Sequence, residues 1–382
     1  MVTRNIINKI RQIATKFPVV ALTGTRQCGK STLLKNCFPD YRFISLEDLD
    51  IRQYALSDPR GFLSNFGDHL IIDEAQYAPQ LFSYIQTKVD DKNESGMYIL
   101  SGSHNFLLME NISQSLAGRC AILTLAPFSI SEMKAASLLP DDLNTWLYKG
   151  GYPRIYDKDI DPTDFFPNYL RTYIERDVRL LRNIGDVTLF AKFLKMCAAR
   201  VGQLLNISSL ANECGISTET ANSWISVLET SYVAFMLRPY HKNFNKRLVK
   251  SPKMYFYDSG LVCSLLEIAD ANQLATHYLR GEIFENMIVS ETFKRFWFQG
   301  KEPNISFWRD SNQNEVDLLI ETNGQLSAYE IKSGATMNSD FFSGLKTFRR
   351  IADLPVEQCF VVYGGDLEVQ TTDGKYLSWR NW

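Results

Sequence analysis

The chain has 382 residues, a formal net charge of −2, 45% hydrophobic residues and 22% charged residues. These values are typical of a soluble globular protein of about two to four domains. They exclude a protein that is basic overall, so any surface that binds nucleic acid must be a local patch.

The seven cysteines are scattered along the chain and form no CxxC pair. This spacing argues against a zinc site and against a disulfide framework. We therefore expect reduced cysteines and a cytoplasmic protein. The N-terminal segment lacks the apolar core and cleavage site of a signal peptide. No apolar run approaches the ~20 residues of a membrane span, so no membrane partner is expected.

Short apolar runs alternate with helical stretches in the first third of the chain. The first run, Val19–Thr23, precedes a helix predicted over Ser31–Asn36. Four further strands are predicted at Tyr41–Ser45, Leu70–Ile72, Met97–Leu100 and Ala121–Leu125. This alternation predicts an α/β fold, with an open parallel sheet covered by helices on both faces.

The pattern changes after residue 128. Helical periodicity dominates residues 129–194, as in NYLRTYIERDVRLLRNIG. Further on, the run GEIFENMIVSETFKRFWF predicts a helix before two strand-like runs, Glu315–Glu321 and Gln325–Ile331. We predict a P-loop domain at 1–128, a helical lid or linker at 129–195, a winged-helix domain at 196–270 and a small α/β domain at 271–382.

Residues 24–31, GTRQCGKS, match the phosphate-binding pattern G-x-x-x-x-G-K-[ST] between a predicted strand and a predicted helix. The two glycines let backbone N–H groups cradle phosphate oxygens, and the helix N-terminus adds partial positive charge. Lys30 is expected to reach the β- and γ-phosphates, and Ser31 to hold Mg²⁺. The predicted nucleotide-binding residues are Gly24, Thr25, Arg26, Gln27, Cys28, Gly29, Lys30, Ser31 and Thr32.

A second apolar strand, Leu70–Ile72, ends in the two carboxylates Asp73 and Glu74. Behind a P-loop, this arrangement predicts that Asp73 supports Mg²⁺, directly or through its water shell. Glu74 would polarise the attacking water as general base. The alternative is an ordinary strand end that carries surface acids.

Two further residues are candidate catalytic groups. Ser103 follows the predicted strand YIL and could sense the γ-phosphate, or it could belong to a simple Ser/Gly turn. Arg119 could stabilise negative charge within its own subunit or across an interface, or it could be a solvated surface arginine. An arginine that acts across an interface would require a homo-oligomer.

Residues 204–225 carry a short helix, a turn at Gly215, a Ser217 N-cap and a second helix, which is a helix-turn-helix pattern. Polar side chains of the second helix could contact phosphates or base edges, namely Thr220, Asn222 and Ser223. The following segment, 241–253, is predicted to be a wing that neutralises DNA phosphates. Its basic residues are Lys242, Lys246, Arg247, Lys250 and Lys253. The alternative is a winged fold used for packing or protein contacts.

The two C-terminal strand-like runs are separated by Asn323-Gly324, which predicts a hairpin. The hairpin would bring Asp317 close to Glu330. Glu330 and Lys332 would share a face because they are two residues apart on one strand.

Two carboxylates can hold a divalent metal, and a lysine beside them can orient or activate water. We therefore predict that Asp317 and Glu330 bind metal, with Glu285 from the preceding helix as a third ligand, and that Glu330 and Lys332 act in catalysis. The arrangement resembles the PD-(D/E)xK nuclease core of the Holliday-junction-resolvase type. The alternatives are a surface hairpin with routine charges and a nuclease-like fold that binds without cutting.

The motifs as an ordered set resemble a prokaryotic, archaeal-type family of AAA-like ATPases whose C-terminal domain has a poorly defined function. They are GTRQCGKS, LIIDEAQ, YILSGS, SLAGR, KGGYP, YDSGL and EVDLLI…YEIKSG, and they cover nearly the whole chain. The resemblance implies ATP and Mg²⁺ as ligands, and a winged-helix segment and a restriction-nuclease-like segment after the ATPase. The chain departs from the nuclease signature by Val316-Asp317 in place of Pro-Asp.

Two functions follow as hypotheses. The first is an ATPase that hydrolyses ATP with Mg²⁺ and couples its nucleotide state to DNA binding and to DNA cleavage by the C-terminal domain. The alternative is an ATP-driven signalling or defence switch that binds a protein partner, with a catalytically inactive nuclease-like domain. A pure binding module is disfavoured, because such a protein does not need the water-polarising Glu74.

Overall fold

The computed structural model describes residues 2–102, 105–173, 186–240 and 249–382, without the side chains of 105–107. The chain divides into two compact units. Unit 1 comprises Met1–Phe128, Thr230–Tyr232 and Lys294–Glu302, and unit 2 comprises Ser129–Glu229, Val233–Phe293 and Pro303–Trp382. Among the described residues, no helix combines the length and the apolar character that crossing a membrane requires.

Unit 1 is built on five parallel strands in the order β2-β3-β4-β1-β5. They are β1 (Val19–Gly24), β2 (Arg42–Ser45), β3 (Leu70–Asp73), β4 (Tyr98–Ser101) and β5 (Cys120–Leu125). The predicted open parallel sheet is confirmed, and its strands lie where the sequence predicts them. Since all strands are parallel, their carboxyl ends meet at one edge of the sheet, where ligands bind in folds of this kind.

Helices cover both faces of this sheet. They are α1 (Ile7–Ala14), α2 (Lys30–Cys37), α3 (Leu49–Ser57), α4 (Pro59–Phe66), α5 (Gln80–Lys92) and α6 (Asn105–Ser115). Val19 and Ala21 of β1 belong to the hydrophobic core under α3 to α6. Val20 and Leu22 belong to the core under α1 and α2. Successive side chains of a strand point to opposite faces, so a continuous apolar run buries both.

The first segment of unit 2, from residue 129 to residue 198, is helical in its described residues, as predicted. Its helices are α7 (Ile130–Ala135), α8 (Leu143–Lys149), α9 (Pro153–Asp157), α10 (Pro162–Tyr173) and α11 (Val187–Ala198). Residues 174–185, in the middle of the predicted helical run, lie outside the described residues.

The helix-turn-helix pattern forms as local structure. Helix α12 (Ile207–Cys214) ends at Gly215, whose φ of 73° is left-handed, and α13 (Thr218–Thr230) follows. The Ser217 hydroxyl accepts the Thr220 N–H at 3.0 Å, as an N-cap does. Strands β6 (Ala234–Leu237) and β7 (Lys253–Phe256) then pair antiparallel. Lys242, Lys246 and Arg247 of the predicted wing lie outside the described residues.

The C-terminal part of unit 2 contains a mixed six-stranded sheet in the order β12-β13-β11-β10-β9-β8. Its strands are β8 (Ile305–Arg309), β9 (Glu315–Thr322), β10 (Gln325–Lys332), β11 (Cys359–Tyr363), β12 (Val369–Gln370) and β13 (Lys375–Ser378). The helices that follow β7 are α14 (Ser259–Leu265), α15 (Ala271–Ala275), α16 (Arg280–Phe298) and α17 (Ser343–Ala352), and the last residues of α16, from Lys294 on, belong to unit 1.

The predicted hairpin is strands β9 and β10, which pair antiparallel. Asn323 and Gly324 join them with φ values of 53° and 78°. Positive φ at both central residues is what a two-residue turn of this twist requires. The hairpin packs with α17 around a core that includes Trp308, Val316 and Phe348.

Candidate functional site

The P-loop turn depends on glycine at both of its ends. Gly24 has a φ of 125°, and a Cβ there would lie 2.0 Å from the carbonyl oxygen of Leu125 on the neighbouring strand. Gly29 has a φ of 93° and immediately precedes α2. The N-cap of α2 is Gly29, which has no side chain to occupy the first N–H groups of this helix, so these groups can bind an anion.

Lys30 places its positive charge inside this turn. The side chain is buried, and Nζ donates to the carbonyl oxygens of Gly24 at 3.0 Å and Thr25 at 2.9 Å. An ammonium group and a helix N-terminus therefore share the loop. Both attract phosphate oxygens.

Asp73 connects the P-loop to the sheet. Its Oδ2 atom accepts a hydrogen bond from the Ser31 hydroxyl at 2.7 Å, and its Oδ1 atom accepts one from the Ser101 hydroxyl. The structure thus brings together the two residues predicted to hold Mg²⁺, Ser31 and Asp73. Carboxylate and hydroxyl oxygens are hard ligands that suit this ion. Ser103 lies outside the described residues.

Ser101 and Gln76 lie in the motifs YILSGS and LIIDEAQ, but the predicted site residues include Ser103 and neither of these two. Ser101 ends β4, which lies beside β3 in the sheet, so only the strand order shows that its hydroxyl reaches Asp73. The buried Gln76 amide donates to Glu74 Oε2 at 2.5 Å. Gln76 also packs against Gly102, where a Cβ would lie 2.2 Å from its Oε1 atom. Gln76 therefore orients the predicted general base.

The structure corrects the predicted contact of Thr25 and limits that of Cys28 to its backbone. The Thr25 N–H donates to the Leu125 carbonyl at 3.2 Å, because Thr25 continues the ladder between β1 and β5. The Thr25 N–H group therefore points away from the space where the loop would hold phosphate. The Cys28 side chain is fully buried in the core behind the loop, which leaves only its backbone for ligand contact. Arg26 is half-buried, and Gln27 and Thr32 are exposed.

Arg4 supports the loop from behind and was also missed. This buried guanidinium donates from Nη1 to the Cys28 carbonyl at 2.9 Å and from Nη2 to the Ala126 carbonyl at 2.6 Å. It also lies 4.9 Å from the centre of the Phe128 ring. Arg4 belongs to no sequence motif, and only the folded chain reveals its contact with the loop.

Arg119 does not stabilise charge at the nucleotide site of its own subunit. It precedes β5, at the amino end of the strand, whereas Gly24 pairs with Leu125 at the carboxyl end. Arg119 instead forms a two-pronged ion pair with Asp90, with Nη2 and Oδ2 2.8 Å apart. Its hydrogen bonds hold the pKa of Asp90 below the ordinary value. The reason is geometric, since opposite edges of a parallel sheet are separated by the strand length.

Unit 2 contains the cluster of two acids and a lysine that the sequence predicts as a metal-binding nuclease-like site. Lys332 Nζ lies 2.7 Å from Glu330 Oε2 and 3.3 Å from Asp317 Oδ2, and the Ile331 N–H donates to Asp317 at 2.8 Å. The structure therefore brings these three predicted side chains together. Burial and the neighbouring Asp317 raise the pKa of Glu330 well above its ordinary value. Although burial opposes it, Lys332 and Lys253 lower the pKa of Asp317.

Glu285 does not complete a metal site with Asp317 and Glu330. Its Oε1 atom accepts hydrogen bonds from Lys253 Nζ at 2.9 Å and from the Tyr255 hydroxyl at 2.5 Å. Burial raises the pKa of Glu285 to about 7, although Lys253 opposes the shift. Within the described ranges, no three acids, histidines or cysteines are grouped to hold a metal ion. The predicted metal set does not fit, because a lysine occupies its third ligand.

The same contacts correct the prediction for Lys253. This lysine lies in β7 and only 3% of it is exposed, so it is not available to DNA phosphates. Of the other basic residues predicted for the wing, Lys250 is described, and it is exposed.

Three family models match successive parts of the chain. Residues 16–134 match an AAA domain. Residues 140–272 and 280–382 match two domains of unknown function, DUF8612 and DUF4143.

Curated relatives match over most of the chain. An uncharacterized protein of Mycobacterium tuberculosis is 28% identical over 377 residues, which are 97% of this chain and 82% of the relative. An uncharacterized protein of Methanocaldococcus jannaschii is 24% identical over 63% of this chain and 61% of the relative.

Solved structures show weaker similarity. A Walker-type ATPase of Pyrococcus abyssi has a TM-score of 0.47 and 15% identity, over 69% of this chain and 95% of its own. AMPPCP-bound DnaA from Aquifex aeolicus has a TM-score of 0.27 and 16% identity, over 59% of this chain and 85% of its own. Residues 16–134 of this chain form a P-loop domain that is similar to AAA domains.

Proposed function

We propose that unit 1 binds ATP with Mg²⁺ and hydrolyses it. The observation that carries this proposal is the hydrogen bond between Ser31 and Asp73, which joins the P-loop to the carboxyl end of β3. This contact puts two oxygen ligands for Mg²⁺ beside the open N-terminus of α2. Adenine is proposed because the chain resembles AAA-like ATPases and carries no guanine-reading NKxD motif.

Each polar residue of the site has a role in this reaction. Lys30 binds the β- and γ-phosphates and stabilises charge as the γ-phosphoryl group is transferred. Ser31 and Asp73 hold Mg²⁺ directly or through its water shell. Glu74 takes a proton from the attacking water, and Gln76 fixes the position of its carboxylate.

Two substitutions separate binding from turnover. Lys30→Ala should abolish ATP binding, because it removes the charge inside the loop. Glu74→Gln should keep ATP binding and lose turnover, because the amide cannot accept the proton of water. Equilibrium binding of a fluorescent ATP analogue and phosphate release would be measured for both variants.

Two exposed residues nearby supply matched controls. Lys35→Ala removes a lysine from the same helix, and Glu47→Gln neutralises an acid outside the site. Both should behave as wild type. Unchanged turnover in Glu74→Gln would refute the assignment of the general base, and unchanged ATP binding in Lys30→Ala would refute the site itself.

For unit 2 we propose that it binds a protein partner and does not cleave DNA. Two observations favour it over a nuclease. The carboxylates predicted to hold metal are paired with lysines (Lys253 with Glu285, and Lys332 with Asp317 and Glu330). Helix α13 carries no lysine or arginine, and Glu219 and Glu229 lie on its exposed face. Such a face does not attract phosphates. ATP turnover in unit 1 would act as the switch.

A cleavage assay tests this role directly. The purified protein would be incubated with supercoiled, linear and branched DNA and Mg²⁺ or Mn²⁺, with and without ATP. Wild type should leave all three substrates intact. Cleavage that is lost in both Asp317→Ala and Lys332→Ala would overturn the proposal and establish a nuclease. A salt titration of DNA binding would show whether phosphates contribute to any affinity that is found.

A further inference from the structure

Lys253 is a buried lysine that pairs with carboxylates from two elements, α16 and β9. Its Nζ atom is 2.9 Å from Glu285 on α16 and forms a second ion pair with Glu315 on β9. The side chain is 4% exposed, and the Phe307 ring lies 5.5 Å away. Burial of a charged amine is unfavourable unless nearby anions compensate for the lost water.

These ion pairs belong to a larger cluster of charged side chains on β7, β9, β10 and α16. Among the described residues, three cations of the cluster, Lys253, Lys332 and Arg309, pair with the four carboxylates of Glu285, Glu315, Asp317 and Glu330. Lysine and arginine therefore provide nearly all of the positive charge that these acids require.

A divalent ion in the same place would need the carboxylate oxygens that already pair with the Lys253 ammonium group. It would draw one ligand from α16 and others from β9 and β10, as the sequence pattern suggests. Glu285 is the only α16 residue in the predicted set, and its Oε1 atom accepts from both Lys253 and Tyr255. Metal binding would bring a double charge to within a few ångströms of a buried ammonium, which is strongly unfavourable.

We propose that Lys253 is an internal cation that takes the place of a divalent metal in this carboxylate cluster. The wild-type cluster then holds no divalent metal, and loss of the Lys253 amine converts it into a metal site. This inference rests on the proposed role of unit 2, and it is independent of ATP hydrolysis in unit 1.

Mn²⁺ binding to the full-length, nucleotide-free protein tests the proposal. Lys253→Met keeps the length and apolar stem of the side chain and removes the charge. It should bind one more Mn²⁺ per chain than wild type, counted by calorimetry or by the free Mn²⁺ signal in electron paramagnetic resonance. Its melting temperature should rise by about 5 °C when Mn²⁺ is at about 100 times its Kd.

Two controls isolate the cluster. Lys250→Met removes an exposed lysine three residues away and should bind no additional Mn²⁺. The double variant Lys253→Met/Glu285→Gln removes one positive and one negative charge. It should fold, and it should not bind the additional Mn²⁺ that Lys253→Met binds. A folded Lys253→Met that binds no more Mn²⁺ than wild type would overturn the proposal.

A comparison that does not depend on the Lys253 variant keeps the test decisive. Wild type and Asp317→Asn should bind the same number of Mn²⁺ ions, because the cluster holds none in either. One Mn²⁺ fewer in Asp317→Asn would show that wild type already carries metal there, and that Lys253 does not replace it. Phosphate release from ATP, measured alongside, reports on unit 1 alone and does not bear on this outcome.

Discussion

The Asp73 carboxylate accepts hydrogen bonds from two serine hydroxyls, that of Ser31 in the P-loop and that of Ser101 at the end of β4. Its two carboxylate oxygens are therefore fixed before any ligand arrives. Fixed ligands lower the reorganisation that accompanies metal binding, which is how residues around a metal site tune its affinity. Ser101 belongs to the YILSGS motif, and its position at the end of β4, beside Asp73, gives it this role.

Ser101→Ala should weaken the use of Mg²⁺. The variant leaves Asp73 Oδ1 without the Ser101 hydroxyl, and a hydrogen bond to a charged group contributes about 1.5–3 kcal/mol. We expect the Mg²⁺ concentration for half-maximal ATP turnover to rise about tenfold. Ser45→Ala is the matched control. Ser45 lies beside Asp73 in the backbone pairing of β2 and β3, but its hydroxyl accepts the Glu47 N–H rather than donating to Asp73. Equal Mg²⁺ dependence in the two variants would count against the role of Ser101.

Arg4→Ala should weaken ATP binding more than it affects the chemical step. Arg4 ties the Cys28 carbonyl to the Ala126 carbonyl, so its loss frees the loop that must enclose the phosphates. We expect the Kd for ATP to rise about tenfold, which is about 1.4 kcal/mol, with kcat nearly unchanged. Arg11→Ala, which removes a hydrogen bond to Cys37 behind α2, is the control. An equal rise in both variants would indicate a general loss of stability.

At the scale of elements, two of the sequence motifs meet in unit 2. Asp258 of YDSGL caps α14 by accepting the Leu261 N–H, and it also accepts the Gly151 N–H of KGGYP at 2.7 Å. Gly150 has a φ of 64°, and a Cβ there would lie 2.2 Å from Asp258 Oδ1. The motif residues are therefore explained by close packing of the α8 end against the α14 start.

Gly150→Ala should destabilise unit 2. A side chain at this backbone conformation is strained, and the new methyl group would displace the Asp258 carboxylate. We expect a loss of about 3 kcal/mol in the free energy of unfolding, measured by urea denaturation. Gly215→Ala also adds a methyl group at positive φ but has open space around it, so it should cost only about 1 kcal/mol. Similar losses in the two variants would contradict the steric argument.

At the scale of the whole molecule, the chain forms two compact units. The first division falls at residue 128, yet residues 230–232 and 294–302 return to unit 1. In unit 1 the Tyr232 hydroxyl lies 3.0 Å from the Thr23 hydroxyl, on the strand that leads into the P-loop. The predicted limits at 195 and 270, and the lid and winged-helix assignments, stay predictions.

MgATP should protect specific parts of unit 1 from hydrogen exchange. A ligand at about 100 times its Kd stabilises the state that binds it by about 2.7 kcal/mol. Slower exchange is expected at residues 24–37, at 73–76 and, through Thr23, at 230–232. Lys30→Ala should show no such change, and neither should wild type with MgATP replaced by EDTA alone. Protection confined to unit 2 would refute the placement of the nucleotide site.

The sequence by itself determined the parallel sheet, the P-loop and the hairpin at Asn323-Gly324, because each depends on neighbouring residues and on periodicity. Only the tertiary structure decided what depends on residues far apart in the chain. It placed Ser101 and Arg4 at the loop and Arg119 at the opposite edge of the sheet. It also brought Lys253 from a supposed wing to Glu285, because strand pairing and burial are set by the whole core.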